Sequence, residues 1–363
     1  MDGLDLIATE FNHIQPQLLF KKTIKYPDDL REALHDIALR SSATINEMCS
    51  LDTLLGQFYA STINDFIDSN DINRKDIVAI GSHGQTLRHN IQQKLPYTLQ
   101  IGDPNIIVAK TGITVVADFR RRDVALGGQG APFAPAFHNQ VFRSKEVNRA
   151  IINIGGIANI TFLPANSSDQ VTGFDTGPGN TLLDVISKQY LQKNFDSNGE
   201  YARSGNIHAA TLQTMLEQEP YFQQNFPKST GTDHFSPDWL ERYQLDKLSP
   251  RDNMATLVEL TAISVSQGIR SLQSPVDECF VCGGGVHNSY LLERLCHHLQ
   301  PLKVDTTLQL GIHPDWVEAL AFAWLAKQTL EMKAGNLPSV TNAEKFTILG
   351  AVYFSHGKFV SVC

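Results

Sequence analysis

VTGFDTGPGN, residues 171–180, sets a β-prone run directly against the tight turn Gly177-Pro178-Gly179, with one acid, Asp175, between them. Just upstream, RAIINIGGIANITFLP (149–164) places two β-rich runs around Gly155-Gly156, the signature of a hairpin. Downstream, NTLLDVISKQYL reads as a helix, and a long helix is expected from Asn253 to Leu272. CFVCGGG then runs a strand into Gly283-Gly284-Gly285, and VHNSYLLERLCHHL supplies the next helix. Strands separated by helices, with glycine turns at strand ends, predict an α/β fold that binds ligands at that edge of its sheet.

The first third repeats the order. LDLIATEF and QLLFKKTIKY read as neighbouring strands across a short polar turn, and Ile45 to Ile67 carries Met48, Leu51, Leu55, Phe58 and Phe66 at helical spacing. DIVAIGSHGQT reads as a buried strand entering a glycine-bounded loop, and ITVVADFRRRD as a strand ending in charge. Each half thus opens with a hairpin and settles into β–α alternation, a weak internal duplication. A length of 363 residues agrees with two domains. They are expected at 1–140 and 141–363, with the last segment packing back on the first domain.

Composition narrows the class. The chain is 42% hydrophobic and 19% charged, with a net charge of −8, and its one basic cluster, Arg120-Arg121-Arg122, is too short to track a nucleic acid. Neither a basic-then-apolar leader nor a run of ~18 apolar residues is visible, so a cytoplasmic protein without a membrane partner is expected. Five cysteines, sparse and odd in number, fit reduced thiols.

Glycine lets backbone N–H groups approach an anion closely, so Gly155-Gly156, Gly177-Pro178-Gly179 and Gly283-Gly284-Gly285 suit a phosphate cradle. None fits the Walker pattern or the spaced dinucleotide fingerprint. Asp175 has two readings: a cap for the helix starting near Asn180, or a general base beside that cradle. Glu318, in HPDWVEALAFAWLAKQ, either favours a helix N-terminus or, sharing a stripe with Phe322 and Leu325, looks into a cleft. His83 and Gln85 come to a strand end, and the arginines after ITVVADF are either a solvated edge or a clamp for an anion. Cys279 and Cys282, three apart in a strand, face opposite sides and cannot share a metal, while Cys296 lies beside the Leu292, Leu295 and Leu299 stripe as small core residues do.

Taken together, GSHGQT, LQIGDPN, TGITVVADFRRRDVALGGQGAPFAPAFH, NIGGIANITFL, GFDTGPGNTLLD, VCGGGVHN and PDWVEALAFAWLA resemble the anhydro-N-acetylmuramic acid kinases nearly end to end. The resemblance implies an actin-like (ribonuclease H-like) architecture of two α/β domains with a nucleotide cleft between them. It implies ATP and Mg²⁺, phosphorylation of an amino sugar, 1,6-anhydro-N-acetylmuramic acid, at O6 with hydrolytic opening of its anhydro ring, and a place in peptidoglycan recycling. Asp175 matches the catalytic aspartate and Glu318 a second acid at the sugar site. ATP contacts fall on Asp2, Gly3, Asp5, Asn153, Gly155, Gly156, Asn159, Gly283, Gly284 and Gly285, with Asp2 also placing the metal. Substrate contacts fall on His83, Gln85, Arg120, Gly177 and Asn180. Family habit implies a homodimer.

Against the family pattern, Met1-Asp2-Gly3-Leu4-Asp5 matches only the tail of the first phosphate loop. The expectation is that codons upstream of Met1 encode a short apolar strand ending in Gly-Thr-Ser. Three other readings stand beside this one. They are another sugar or acetate-type kinase, a truncated sugar-binding protein of the same fold that retains no catalysis, and, furthest off, a metal or redox protein.

Overall fold

The computed structural model describes residues 3–11, 15–40, 42–226, 228–243 and 245–355. The chain divides into two compact units, one of residues 1–137 with 318–363 and one of residues 138–317.

The first unit opens with an antiparallel hairpin of β1 (Gly3–Glu10) and β2 (Gln17–Lys25), in which Asp5 lies opposite Thr23. The helix Ile45–Ser69 follows, started by a reciprocal capping box between Thr44 and Glu47. Of its expected stripe, Leu51, Leu55 and Phe66 are buried and Met48 and Phe58 half-buried, while Tyr59 and Ile63 are buried beside them. Next come β3 (Ile80–Gly81), β4 (Gln85–Asn90), β5 (Tyr97–Ile101) and β6 (Val115–Ala117), with β3 parallel to β6 and β4 antiparallel to β5. DIVAIGSHGQT is not the buried strand its composition predicts. Up to Gly81 only Ile80 and Gly81 enter a ladder, Gln85 and Thr86 belong to β4, and Val78 is 81% exposed. Among the described residues β3 pairs with β6 alone, so the run sits at an edge of that sheet, with Ile77 and Ile80 half-buried against the first unit's core and Val78 left in solvent.

The second unit holds β7 (Arg149–Ile154), β8 (Ile157–Leu163), β9 (Thr172–Pro178), β10 (Glu278–Cys282) and β11 (Val304–Thr306) in one sheet, ordered β11-β10-β7-β8-β9. The first three are antiparallel and the last two run parallel to β7. Three meandering strands followed by two parallel crossovers on the far side of the first strand is the ribonuclease H-like arrangement. The long helix runs Pro250–Arg270, with Ser249 capping Asp252 N–H and proline in the first turn, where its missing donor costs nothing. It packs on the sheet through Leu257, Val258, Val265 and Ile269, which join Ile152, Ile154 and Ile160 in one core. Each such fully buried side chain contributes roughly 1.5–3 kcal/mol. The contact is close: a Cβ added to Gly268 would come within 2.7 Å of Thr176 Cγ2.

The chain then returns to the first unit through the helix Val317–Leu330, and β12 (Ala351–Tyr353) pairs antiparallel with β6.

Candidate active site

In the second unit the register lines up one polar row across four strands. Asp175 on β9 faces Asn159 on β8, Asn159 faces Asn153 on β7, and Asn153 faces Cys282 on β10. Side chains opposite one another in a ladder share a face. The core helix occupies the other face, so these residues are left half-buried except for Cys282. Strand β9 continues to Pro178, three residues past Asp175, so Asp175 sits within the strand rather than closing it. Nor is it a helix cap: the helix Thr181–Ile186 begins after Asn180.

The glycine turns converge at the end of this row. Asn180 N–H donates to Gly155 O at 2.8 Å, and Gly156 O accepts from Gly179 N–H at 2.9 Å and Thr181 N–H at 3.1 Å. Both turn carbonyls, the groups that would repel an anion, are thereby occupied from within. Thr261, on the long helix, donates to Pro178 O at 3.0 Å and ties the Gly177-Pro178-Gly179 turn to the core. Asn180 Nδ2 reaches Ile154 O at 3.4 Å and lies beside Gly284.

Gly283 and Gly284 differ in why they are glycine. Gly283 has φ +81°, and a Cβ there would sit 2.6 Å from Asn153 Oδ1, so the fold itself requires it. A Cβ on Gly284 would meet nothing closer than Asn180 Nδ2 at 3.8 Å, and one on Gly155 nothing closer than Ile157 O at 3.7 Å. Internal packing does not require these two to be bare. They leave room for something outside the protein, which fits a nucleotide phosphate cradle.

Asp175 is gripped at three points by a stretch that motif reading passed over. Its N–H donates to Lys228 O at 2.9 Å, its C=O accepts from Tyr221 Oη at 2.8 Å, and its Oδ2 accepts from Thr230 N–H at 3.0 Å. Burial pushes its carboxyl up to about 6, and the Thr230 N–H offsets part of that rise. Such a carboxylate is ionised at neutral pH and still basic enough to take a proton.

The first unit gathers a different set. Arg120 donates from Nε to His83 Nε2 at 3.0 Å and from Nη1 to Gly130 O at 2.8 Å, and its guanidinium lies 5.6 Å from the centre of the Phe133 ring. Burial, with the Arg120 charge beside it, lowers the His83 pKa to about 3. The ring is therefore neutral, with Nε2 as acceptor and the proton on Nδ1. The His83 ring lies 4.4 Å from that of Phe322, one helical turn beyond Glu318. Glu318 is exposed, yet the protein atoms around its carboxyl raise its pKa. The Arg120 charge opposes that rise and Asp5 adds to it. Of the arginine cluster only Arg120 turns inward: Arg121 pairs with Asp118 at 3.5 Å and Arg122 donates to Ile348 O at 3.2 Å, both exposed.

Behind Arg120 stands Asp123, fully buried. It accepts from Gly130 N–H at 2.8 Å, Asn336 Nδ2 at 2.9 Å and Thr341 Oγ1 at 2.9 Å, and so holds the loop whose carbonyl receives Arg120. Gln85 opens β4 and donates to Thr86 O at 3.3 Å, making no hydrogen bond to Arg120 or His83. Gly3 faces Lys25 on β2, and Asp5 Oδ1 accepts from Thr23 Oγ1 at 2.6 Å. Asp2 lies outside the described residues.

The cysteines divide. Cys279 and Cys282 are both buried, burial pushes the Cys279 thiol up to about 12, and Cys282 Sγ contacts Asn153 Oδ1 at 3.7 Å. Cys296 is exposed, contrary to the core position its neighbours suggest, because it lies one residue past the buried Leu295 on the turning helix.

Sequence reasoning missed Glu219, Tyr221, Lys228 and Thr230. They lie in a stretch without glycine turns or strand pattern; the signal available was an acid and a lysine among aromatics, YFQQNFPK following Glu219. Asp123 was hidden by the three arginines before it.

A ribonuclease H-like sheet, glycine turns with space before Gly155 and Gly284, and one raised carboxyl on the polar row beside them together define an actin-like α/β protein. The chain belongs to the anhydro-N-acetylmuramic acid kinase family, whose model matches residues 1–355. An anhydro-N-acetylmuramic acid kinase from Coxiella burnetii (strain Dugway 5J108-111) is 48% identical over 355 residues, covering 98% of this chain and 95% of its own. One from Shewanella denitrificans (strain OS217 / ATCC BAA-1090 / DSM 15013) is 45% identical over 355 residues, covering 97% of this chain and 95% of its own. A more distant likeness, at TM-score 0.41 and 14% identity, is to the activator of the 2-hydroxyisocaproyl-CoA dehydratase from Clostridium difficile with bound ADPNP, over 88% of this chain and 91% of that one.

Proposed function

We propose that this protein transfers the γ-phosphoryl group of ATP to O6 of 1,6-anhydro-N-acetylmuramic acid while water opens the anhydro bridge. In this scheme water adds to C1 and the C1–O6 bond breaks. O6 forms a bond to the γ-phosphorus as the bond to the β-phosphate oxygen breaks, giving N-acetylmuramic acid 6-phosphate and ADP. Asp175 takes the proton that the water gives up. The observation that carries this is the Asp175 carboxylate, half-buried on the polar row beside the glycine turns, bonded among the described residues by the Thr230 N–H and raised by burial to about 6. The Gly155-Gly156 turn and Gly284 serve the phosphates, and the family membership supports an amino sugar as acceptor.

Arg120 and Glu318 serve the sugar, with Arg120 suited to its lactyl carboxylate. The protein would act in the cytoplasm, in recycling of cell-wall sugars; among the described residues no helix is long and apolar enough to cross a membrane. Mg²⁺, when bound, would neutralise charge on the phosphates. Among the described residues no group of three or more His, Cys, Asp or Glu could hold a metal. Asp2 is the carboxylate we assign to it.

The test is isotopic. With ATP and the anhydro sugar in ¹⁸O-labelled water, label is expected at the anomeric oxygen of the product and not in the phosphate. Build-up of a sugar phosphate with its anhydro bridge intact would contradict the coupling.

A further inference from the structure

Glu219 is one of the few fully buried carboxylates, 1% exposed, and nothing in the proposed reaction uses it. It lies at the root of the stretch that grips Asp175. Its Oε1 accepts from Tyr221 N–H at 3.1 Å and from His234 Nε2 at 3.0 Å, and its Oε2 from the Trp239 indole at 2.6 Å. A carboxylate only accepts, so the His234 ring must present its Nε2 proton. Burial alone would raise the Glu219 pKa, but these donors outweigh it and hold the group below its ordinary value, ionised. Tyr221, fixed by Glu219 at its N–H and packed edge-on against Phe235 at 5.6 Å, carries the hydroxyl that bonds Asp175 O. Lys228 is fixed in turn. Its Nζ donates to Tyr221 O at 2.8 Å and lies 4.3 Å and 4.4 Å from the centres of the Tyr221 and Phe226 rings, while its own carbonyl receives Asp175 N–H.

We propose that Glu219 is a positioning residue for Asp175. It anchors the stretches Glu219–Phe226 and Lys228–Thr230, which hold the Asp175 N–H, carbonyl and carboxylate, and so sets how readily that carboxylate takes a proton. The proposal rests on Asp175 being the base. The lever is Thr230 N–H, the donor on Oδ2: it stabilises the ionised form, and its placement depends on the anchored stretch. Among the described residues of this unit, the titratable groups facing Asp175 are the Tyr221 hydroxyl, which burial and then Asp175 raise far above its usual range, and Lys228, whose ammonium is turned to Tyr221 O.

The test follows the carboxyl itself. Aspartate side-chain carboxyls are ¹³C-labelled in the whole chain, the Asp175 signal is assigned by its loss in Asp175→Asn, and its titration midpoint is read by NMR. Thr230→Pro deletes the N–H and should raise the midpoint by about one to two pH units, the worth of one hydrogen bond to a charge. Thr230→Ala keeps the N–H and should leave it in place. Glu219→Gln sets an amide N–H₂ against one of the donors and loosens the anchor, raising the midpoint and moving the acid limb of kcat with it. Tyr221→Phe should do the same to a smaller extent. A purely structural role for Glu219 would lower kcat at every pH without moving either midpoint. If Glu219→Gln and Tyr221→Phe both titrate as wild type, the proposal is overturned, whether or not Thr230→Pro folds. Should Asp175→Asn retain wild-type turnover, the base assignment fails instead, and the carboxyl titration still decides on the anchor.

Discussion

The two units present an acid in opposite ways. Glu318 stands among side chains: a half-buried arginine that opposes its rise in pKa, a neutral His83 that accepts from that arginine, and Asp123 bracing the loop behind. The Asp175 carboxylate meets a backbone group, Thr230 N–H being the one donor on it among the described residues, with glycine turns at the end of its row. Burial raises both, but a neighbouring charge restrains only one. When two carboxyls share a task, the environments that separate their pKa values separate their roles. Under the proposed reaction, the difference fits proton transfer at Asp175 and substrate holding by Glu318 and Arg120.

Removing Asp175 breaks the comparison at its strongest point. Asp175→Asn is nearly isosteric and deletes the base, and a positioned base contributes roughly 10²–10⁴ in rate, about 3–6 kcal/mol. The loss is expected in kcat, read from steady-state kinetics of the folded variant. Equal turnover in wild type and variant would remove Asp175 from proton transfer. Glu318→Gln should act differently, through KM for the sugar. A charge-assisted hydrogen bond is worth roughly 1.5–3 kcal/mol, so a rise of about 10- to 100-fold is expected, with the acid limb of kcat unmoved. A shifted acid limb in that variant would mean that Glu318, too, handles a proton.

Asp123→Ala tests whether the first site depends on its brace. It leaves Gly130 N–H, Asn336 and Thr341 without their acceptor, each at a cost of about 1–3 kcal/mol where no water replaces it. A fall of about 3 kcal/mol in urea-unfolding stability is expected. A change under about 1 kcal/mol would show that the loop holds Arg120 without Asp123.

Asp175 also leaves a trace in stability. Its pKa is raised from 3.8 to about 6, so between those values the folded chain binds the proton that the unfolded chain has released. Stability then falls as pH rises through that window, by up to roughly 3 kcal/mol, and by about 1–2 kcal/mol once solvent screening of a half-exposed group is allowed for. Asp175→Asn should therefore be more stable than wild type at pH 7–8 by that amount, with the two converging below about pH 4. Thermal melts across pH read this directly. Glu318→Gln should give no matching gain, because it strips a nearby counter-charge from the half-buried Arg120.

How much was legible in the sequence follows the same division. The second unit's hairpin, turns and long helix were readable because glycine, β-branched runs and helical spacing are local signals, and Asp175 stood beside them. Its grip was not readable. Tyr221 and Thr230 lie 46 and 55 residues away in chain and meet Asp175 only through packing. In the first unit, Arg120 could be told from Arg121 and Arg122 only once the chain turned one side chain inward. The run before Gly81 read as buried because apolar composition reports propensity, whereas edge position is decided by neighbours far along the chain.

The smallest expected effect sharpens the backbone-built side. Gly283 cannot serve as a probe, since its φ of +81° and its contact with Asn153 would make any side chain disruptive. Gly284 can. It opens a short 3₁₀ turn, its backbone needs no positive φ, and an added methyl would meet nothing within 3.7 Å. Alanine there removes freedom from the unfolded chain, so Gly284→Ala should leave stability unchanged or raise it by about 0.4–1 kcal/mol. The methyl would stand in the space assigned to the nucleotide, and a ligand that must retreat by even part of an ångström loses its hydrogen bonds first. KM for ATP is expected to rise about 10-fold or more, the worth of one lost bond, with KM for the sugar unchanged. Thermal melts without nucleotide and a two-substrate kinetic matrix separate the two effects. If the variant melts as predicted and binds ATP as well as wild type does, the space before Gly284 does not belong to the nucleotide, and the phosphates must be sought at the Gly155-Gly156 turn alone.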